Sequence, residues 1–196
     1  MNLVNQFLKG LRAALPAEEL DELNIAHGAT QEDIDTLKSQ YPDCPESLIR
    51  LLENIDGTYW RKYGDKEITV CILGSDVEEG RYPYYLLSTK EMLQSSKQEE
   101  DMSYLLEYEE DEEAVDPKIN PEGLLPGKYI HFSDCMNNGG TSRLYIDFNP
   151  SDLGVKGQII RFLHDPDEYA VIANSFDAYL QMLIDGEFIY LSEDED

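Results

Sequence analysis

The stretch KYIHFSDCMNNGGTSRLYIDF, residues 128–148, decides the fold class. Its two arms, Lys128 to Phe132 and Arg143 to Phe148, are rich in β-branched and aromatic residues. Such residues favour a pleated, half-buried backbone. Between the arms, Asn137-Asn138-Gly139-Gly140 suits the positive φ of a tight hairpin turn. Working outward, Gly157 to Leu163 and Glu168 to Ala173 read as two further strands. Upstream, Gly57 to Trp60, Glu67 to Leu73 and Tyr82 to Leu87 have the same character, bounded by Gly, Asp and Pro.

Helical periodicity lies outside this central block. Val4, Phe7, Leu8, Leu11 and Leu15 recur at helical spacing, so Asn2 to about Leu15 should be amphipathic. Pro16 opens a short acidic helix, Ala17 to about Asn24, and His27-Gly28-Ala29 reads as a link. Thr30, followed by Glu32 and Asp33, has the form of a helix start, with Ile34 and Leu37 on its apolar face. Pro45-Glu46-Ser47 opens another helix carrying Leu48, Leu51, Leu52 and Ile55, stopped by Asp56-Gly57. Ser88-Thr89-Lys90-Glu91 is a capping pattern leading into Met92 and Leu93. Ser175 caps a last helix whose stripe is Phe176, Tyr179, Leu180, Leu183 and Ile184.

Helices grouped at the ends with strands between them indicate an α+β fold. A largely antiparallel sheet of about six strands should be packed by the N-terminal helices and a C-terminal helix. The expected organisation is a helical extension over residues 1–29 and a main domain over residues 30–191, interrupted at about 99–116 by an acidic insertion. Residues 192–196 then form a solvated, disordered tail.

Of the 196 residues, 41 are acidic and 15 basic, a formal charge of −26. With 41% hydrophobic residues, 13 Tyr and 6 Phe, the chain still has the means to fold. Such a charge argues against nucleic acid or anionic membranes, whose binders neutralise phosphate with Lys and Arg. It favours a basic protein partner, steered by the negative field, unless the acid serves solubility alone. No apolar run is long enough for a membrane span, and the start lacks a basic, then apolar, leader, so a cytoplasmic protein is expected. Cys44, Cys71 and Cys135 are odd in number and widely spaced, which suits reduced, structural thiols.

Glu99 to Asp116 holds ten acids and no basic residue around Met102, Tyr104, Leu105, Leu106 and Tyr108. Within it, Glu107, Tyr108, Glu109, Glu110, Asp111, Glu112 and Glu113 form the candidate partner-binding run. The aromatic group Tyr59, Trp60, Tyr63, Tyr82, Tyr84 and Tyr85 accompanies it, with Tyr59, Trp60, Tyr63 and Tyr84 as its candidate anchors. Tyr and Trp are rigid amphipathic anchors, and adjacent carboxylates can pair with Lys and Arg of a partner. The plainer alternative makes the tyrosines core residues and the run a solvated loop.

Two sets of residues resemble a known family. Thr30-Gln31-Glu32-Asp33-Ile34 to Leu37, then Pro45-Glu46-Ser47-Leu48 to Leu52 and Asn54-Ile55-Asp56-Gly57, are similar to the paired helices of the SUKH superfamily. Its namesakes are the fungal Smi/Knr cell wall assembly regulators. Cys44 stands where that family usually has an apolar residue. Tyr129 to Asp134, the Asn137 to Gly140 turn, Leu144 to Phe148, Gly157 to Ile160 with His164-Asp165, and Ile172-Ala173-Asn174-Ser175-Phe176 to Leu183 resemble its hairpin, glycine-led strand and last helix. The resemblance spans about residues 30–190. It implies an α+β protein without a cofactor that acts by protein binding; a monomer or weak dimer is expected. In bacteria such proteins often serve as immunity proteins for polymorphic toxins, including nucleases; a regulatory or scaffold role like that of the fungal proteins is the alternative.

An enzyme would have to use His131, His164 or a carboxylate cluster. His164-Asp165-Pro166 reads as a strand end and turn. His131 alternates with Ile130 and Phe132 and should face opposite to them, as a surface or sheet-face histidine. Asp147, Asp152 and Asp165 to Glu168 match no metal-binding spacing, and Asn138-Gly139-Gly140 is better explained as a turn than as a phosphate loop. No catalytic residue, metal or cofactor is therefore expected.

Overall fold

Local capping sets the helix boundaries in the computed structural model, which describes residues 2–77, 83–100, 102, 114–137, 140–164 and 167–191. The Asn2 side chain accepts from Asn5 N–H and starts α1, Leu3–Ala14. Pro16 precedes α2, Ala17–Leu23. Thr30 Oγ1 accepts from Asp33 N–H and starts α3, Gln31–Gln40, and Pro45 precedes α4, Glu46–Leu52. Ser88 and Glu91 form a reciprocal capping box on α5, Thr89–Ser95, and Ser175 caps α6, Phe176–Asp185. A 3-10 turn, Ile189–Leu191, follows.

The strands are β1 (Arg61–Tyr63), β2 (Lys66–Ile68), β3 (Cys71–Leu73), β4 (Tyr84–Leu86), β5 (Tyr129–Asn137), β6 (Gly140–Asp147), β7 (Gln158–Leu163) and β8 (Glu168–Ala173). β1 and β2 pair with each other, and the other six form one sheet in sequence order, antiparallel throughout. The α+β architecture with a six-stranded antiparallel sheet and a C-terminal helix is thus the one the sequence pattern implies.

Two strand boundaries differ from that pattern. Gly57 to Trp60 is not a strand, because Trp60 takes a left-handed φ of +47° and turns the chain into β1. Glu67 to Leu73 is split in two: β2 belongs to the small sheet, β3 to the large one, and Thr69-Val70 carries the chain between them.

The large sheet is covered on both faces. Ile130, Phe132, Leu144, Ile146 and Ile159 share one cluster with Phe7 and Leu11 of α1, Leu48 and Leu52 of α4, and Phe176 and Leu180 of α6. Tyr129, Tyr145, Ile160 and Tyr169 form a second cluster with Met102, Ile119 and Leu124, contributed by the long β4–β5 connection. His131 faces away from Ile130 and Phe132, as its alternation implies, and lies against Tyr145 at 5% exposure, so of the two expected placements it is the sheet-face and not the surface one. Alternation marks a face; it does not say whether a loop returns over that face.

Candidate functional site

The Asp56-Gly57 sequence organises the region around the tryptophan. Asp56 is buried; its Oδ1 accepts from Thr89 N–H (2.8 Å) and Thr89 Oγ1 (3.0 Å) at the start of α5. Its Oδ2 takes Arg61 Nη2 at 2.6 Å, so the carboxylate is paired and fully hydrogen-bonded. Gly57 has φ +91°, and a Cβ there would lie 2.7 Å from Ser88 N, so only glycine lets the turn close against α5. Tyr63 Oη then donates to Gly57 O at 2.8 Å.

Held between these fixed points, Trp60 faces outward while Tyr59 packs against the margin of the core. The Tyr59 ring is partly buried and lies 5.2 Å from the Tyr85 ring. Burial raises the Tyr59 hydroxyl pKa, and the charges of Asp134 and Glu91 add to the rise. Tyr85 is paired in register with both Cys71 and Asp134, which puts their side chains on one sheet face. Trp60, the single tryptophan, is 61% exposed.

The other anchors expected from sequence lie elsewhere. Tyr84 is fully buried, and Tyr63 is buried against His27, with ring centroids 4.7 Å apart. Neither offers a ring to a partner: Tyr63 braces the turn, and Tyr84 faces the helices. Glu107, Tyr108, Glu109, Glu110, Asp111, Glu112 and Glu113 lie outside the described residues, as do Tyr82 and residues 192–196. What the structure does place is the two ends of the acidic insertion. Glu100 pairs through its backbone with Leu124 and binds Arg143 Nη1 through both carboxylate oxygens, at 3.0 and 3.2 Å. At the other end Val115 pairs with Tyr169 of β8, and Asp116 N–H donates to Tyr169 O at 2.8 Å. Sequence reasoning grouped Tyr85 with Tyr59 but missed Asp134 and Glu91 as its neighbours. Only the strand register and the docking of α5 bring them together, and no local signal announces either.

Both histidines that the sequence singled out lie within hydrogen-bond distance of nearby aspartates. His131 Nε2 lies 3.0 Å from Asp134 Oδ1 and 3.2 Å from Ser133 O, and Asp134 also faces Arg143 Nε at 3.7 Å, so the histidine braces the site where Glu100 docks. His164 Nδ1 sits 2.9 Å from Asp167 at the β7–β8 turn. Burial pushes the thiols of Cys44, Cys71 and Cys135 up to about 12, which leaves them protonated near neutrality. Among the described residues no group of three or more His, Cys, Asp or Glu is placed to hold a metal ion, and no helix is long and apolar enough to cross a membrane.

Fold and site together define an antiparallel α+β module that presents an aromatic surface. The chain belongs to the SMI1 / KNR4 family (SUKH-1), whose family model matches residues 28–182. That membership is consistent with an immunity or regulator-like module. No curated protein matches the chain.

Proposed function

We propose that this chain is a non-catalytic binding module of the toxin-immunity kind that neutralises a basic protein, such as a nuclease toxin, by covering its cationic active site. The observation that carries this reading is Trp60. A bulky ring is 61% exposed on left-handed backbone. Backbone of that kind costs an L residue about 1–2 kcal/mol. The Arg61–Asp56–Thr89 network holds the turn in place, and Tyr59 and Tyr85 flank it with acids nearby. A rigid aromatic anchor loses little entropy on binding, and a net charge of −26 draws a cationic partner towards it. The acidic run Glu107 to Glu113 supplies the rim charges in this reading.

Co-expression with the toxin encoded beside its gene tests the reading. The wild-type chain should protect the host, and Trp60→Ala should lose protection while remaining folded. Continued killing beside a folded wild-type chain would rule out that pairing. A scaffold that docks through the α1 stripe is less well supported, because Val4, Phe7, Leu8 and Leu11 are already buried in the chain's own core.

A further inference from the structure

A second surface, built from other elements than the Trp60 turn, also presents apolar side chains on a rigid support. The β6–β7 loop lies against the strap that follows the acidic insertion. Ser151 N–H donates to Lys118 O (3.1 Å) and Ser151 Oγ to Pro117 O (2.7 Å). Gln158, fully buried, sends Nε2 to Lys118 O (3.1 Å) and Asp147 Oδ2 (3.0 Å), while its Oε1 accepts from Val155 N–H (3.0 Å). Asp147, 1% exposed, also accepts from Asn149 N–H at 2.8 Å. At Gly154 a Cβ would lie 2.3 Å from Lys118 O, so only a residue without one lets the loop seat on the strap.

Burying a carboxylate and an amide costs free energy unless each is fully bonded. Here that support holds Leu153 and Val155 at 70% and 51% exposure. Beside them is a cleft of about 520 Å³ walled by Pro117, Ile119, Pro121, Pro150 and Leu153, with the exposed Asp152 on it. Proline walls have little conformational freedom left to lose when something binds. A second copy of this chain is a poor occupant, since it brings another charge of −26. Of the nearby cations, Lys156 is already paired with Asp43 at 2.6 Å, while Lys118 is exposed.

We infer that this cleft is a second docking surface for the cationic partner, taking a segment in which an apolar side chain is flanked by Lys or Arg. The apolar group enters between the prolines and packs on Leu153, with Val155 exposed two residues further along the same loop, while the cations meet Asp152 and the negative field of the chain. The inference rests on the proposed cationic partner but not on Trp60.

Two peptides test it on the full chain: acetylated Lys-Lys-Leu-Pro-Leu-Lys-Lys, and a control of equal charge with Ser for both Leu, each titrated while backbone amide resonances are followed. The leucine peptide should shift amides at residues 115–121 and 150–155 and bind at least ~5-fold tighter than the control, the scale of one partly buried aliphatic group. Leu153→Ser with Val155→Ser should reduce its affinity to that of the control without changing the melting transition. Trp60→Ala should leave this binding intact, so loss of the cleft and loss of the aromatic anchor are read separately. Equal binding of both peptides, shifts elsewhere on the surface, no shift at all, or unchanged affinity in the Leu153/Val155 variant would each overturn the inference.

Discussion

Trp60 shows what a single residue does in this protein. Its left-handed backbone, φ +47°, suits glycine, and its exposed ring buries little in return. Relief of about 1–2 kcal/mol of strain in Trp60→Gly, set against the ~0.5–1 kcal/mol entropic cost of a glycine, predicts a stability equal to the wild type or slightly above it. The midpoint of urea unfolding measures this, and a loss beyond ~1 kcal/mol would show that the fold needs the ring. Asp147 is the opposite case, a buried group whose carboxyl is pushed above the ordinary range by burial, only partly offset by its bonds to Asn149 N–H and Gln158. Between its unfolded and its raised folded pKa, the native state keeps a proton that the unfolded chain has lost. Stability should therefore fall as pH rises through that window, and Asp147→Asn should remove this part of the slope. A carboxyl resonance of Asp147 titrating at or below the ordinary aspartate value would contradict it.

At the scale of elements, α1 belongs to the core, not to an appendage. Phe7 is fully buried, its ring centroid 5.7 Å from that of Phe188, and α1 packs against α6 and α4. Phe7→Ala should cost about 3–5 kcal/mol in chemical denaturation, the range for a buried phenylalanine. A loss below ~1 kcal/mol would mean that α1 is peripheral after all. The sheet edges are closed in a similar way. On β3, Tyr190 Oη donates to Ile72 O and Tyr179 Oη to Gly74 O just beyond the strand. On β8, Asp116 takes Val171 N–H on its side chain. An exposed edge would otherwise recruit another chain.

Across the whole molecule the charge of −26 dominates. The ion pairs that are formed use carboxylates from distant parts of the chain, among them Arg161 with Asp76 and Glu168, but 15 cations cannot pair 41 acids. The surplus repels itself, so the melting temperature should rise between ~10 mM and ~300 mM salt as the Debye length shrinks from about 30 Å to under 8 Å. A melting temperature insensitive to that change would mean the acids are locally compensated.

The sequence alone determined the helices and the strands from β4 onward, because a helix cap such as Thr30 or the Ser88–Glu91 box, and a hairpin such as Asn137↔Gly140, are set by residues within a few positions of one another, whereas the division of residues 57–73 between two sheets was not legible in it. It also determined the charge, on which the proposal of a cationic partner rests. What only the tertiary structure decided is which residues meet and which remain open. Tyr59, Trp60, Tyr63 and Tyr84 look alike in sequence, yet Tyr63 and Tyr84 are buried, Tyr59 is half-buried against the core and Trp60 is open, because the Asp56–Arg61–Thr89 network and the sheet register fix where each ring goes. Likewise nothing local foretells that residues near 102 and 115 return over the second sheet face and pack in one cluster with Tyr145 and Tyr169, or that Lys118 O and Gln158 lock the loop that exposes Leu153. Such contacts join residues tens of positions apart, and burial is a property of the folded surface, which no local window of the chain contains.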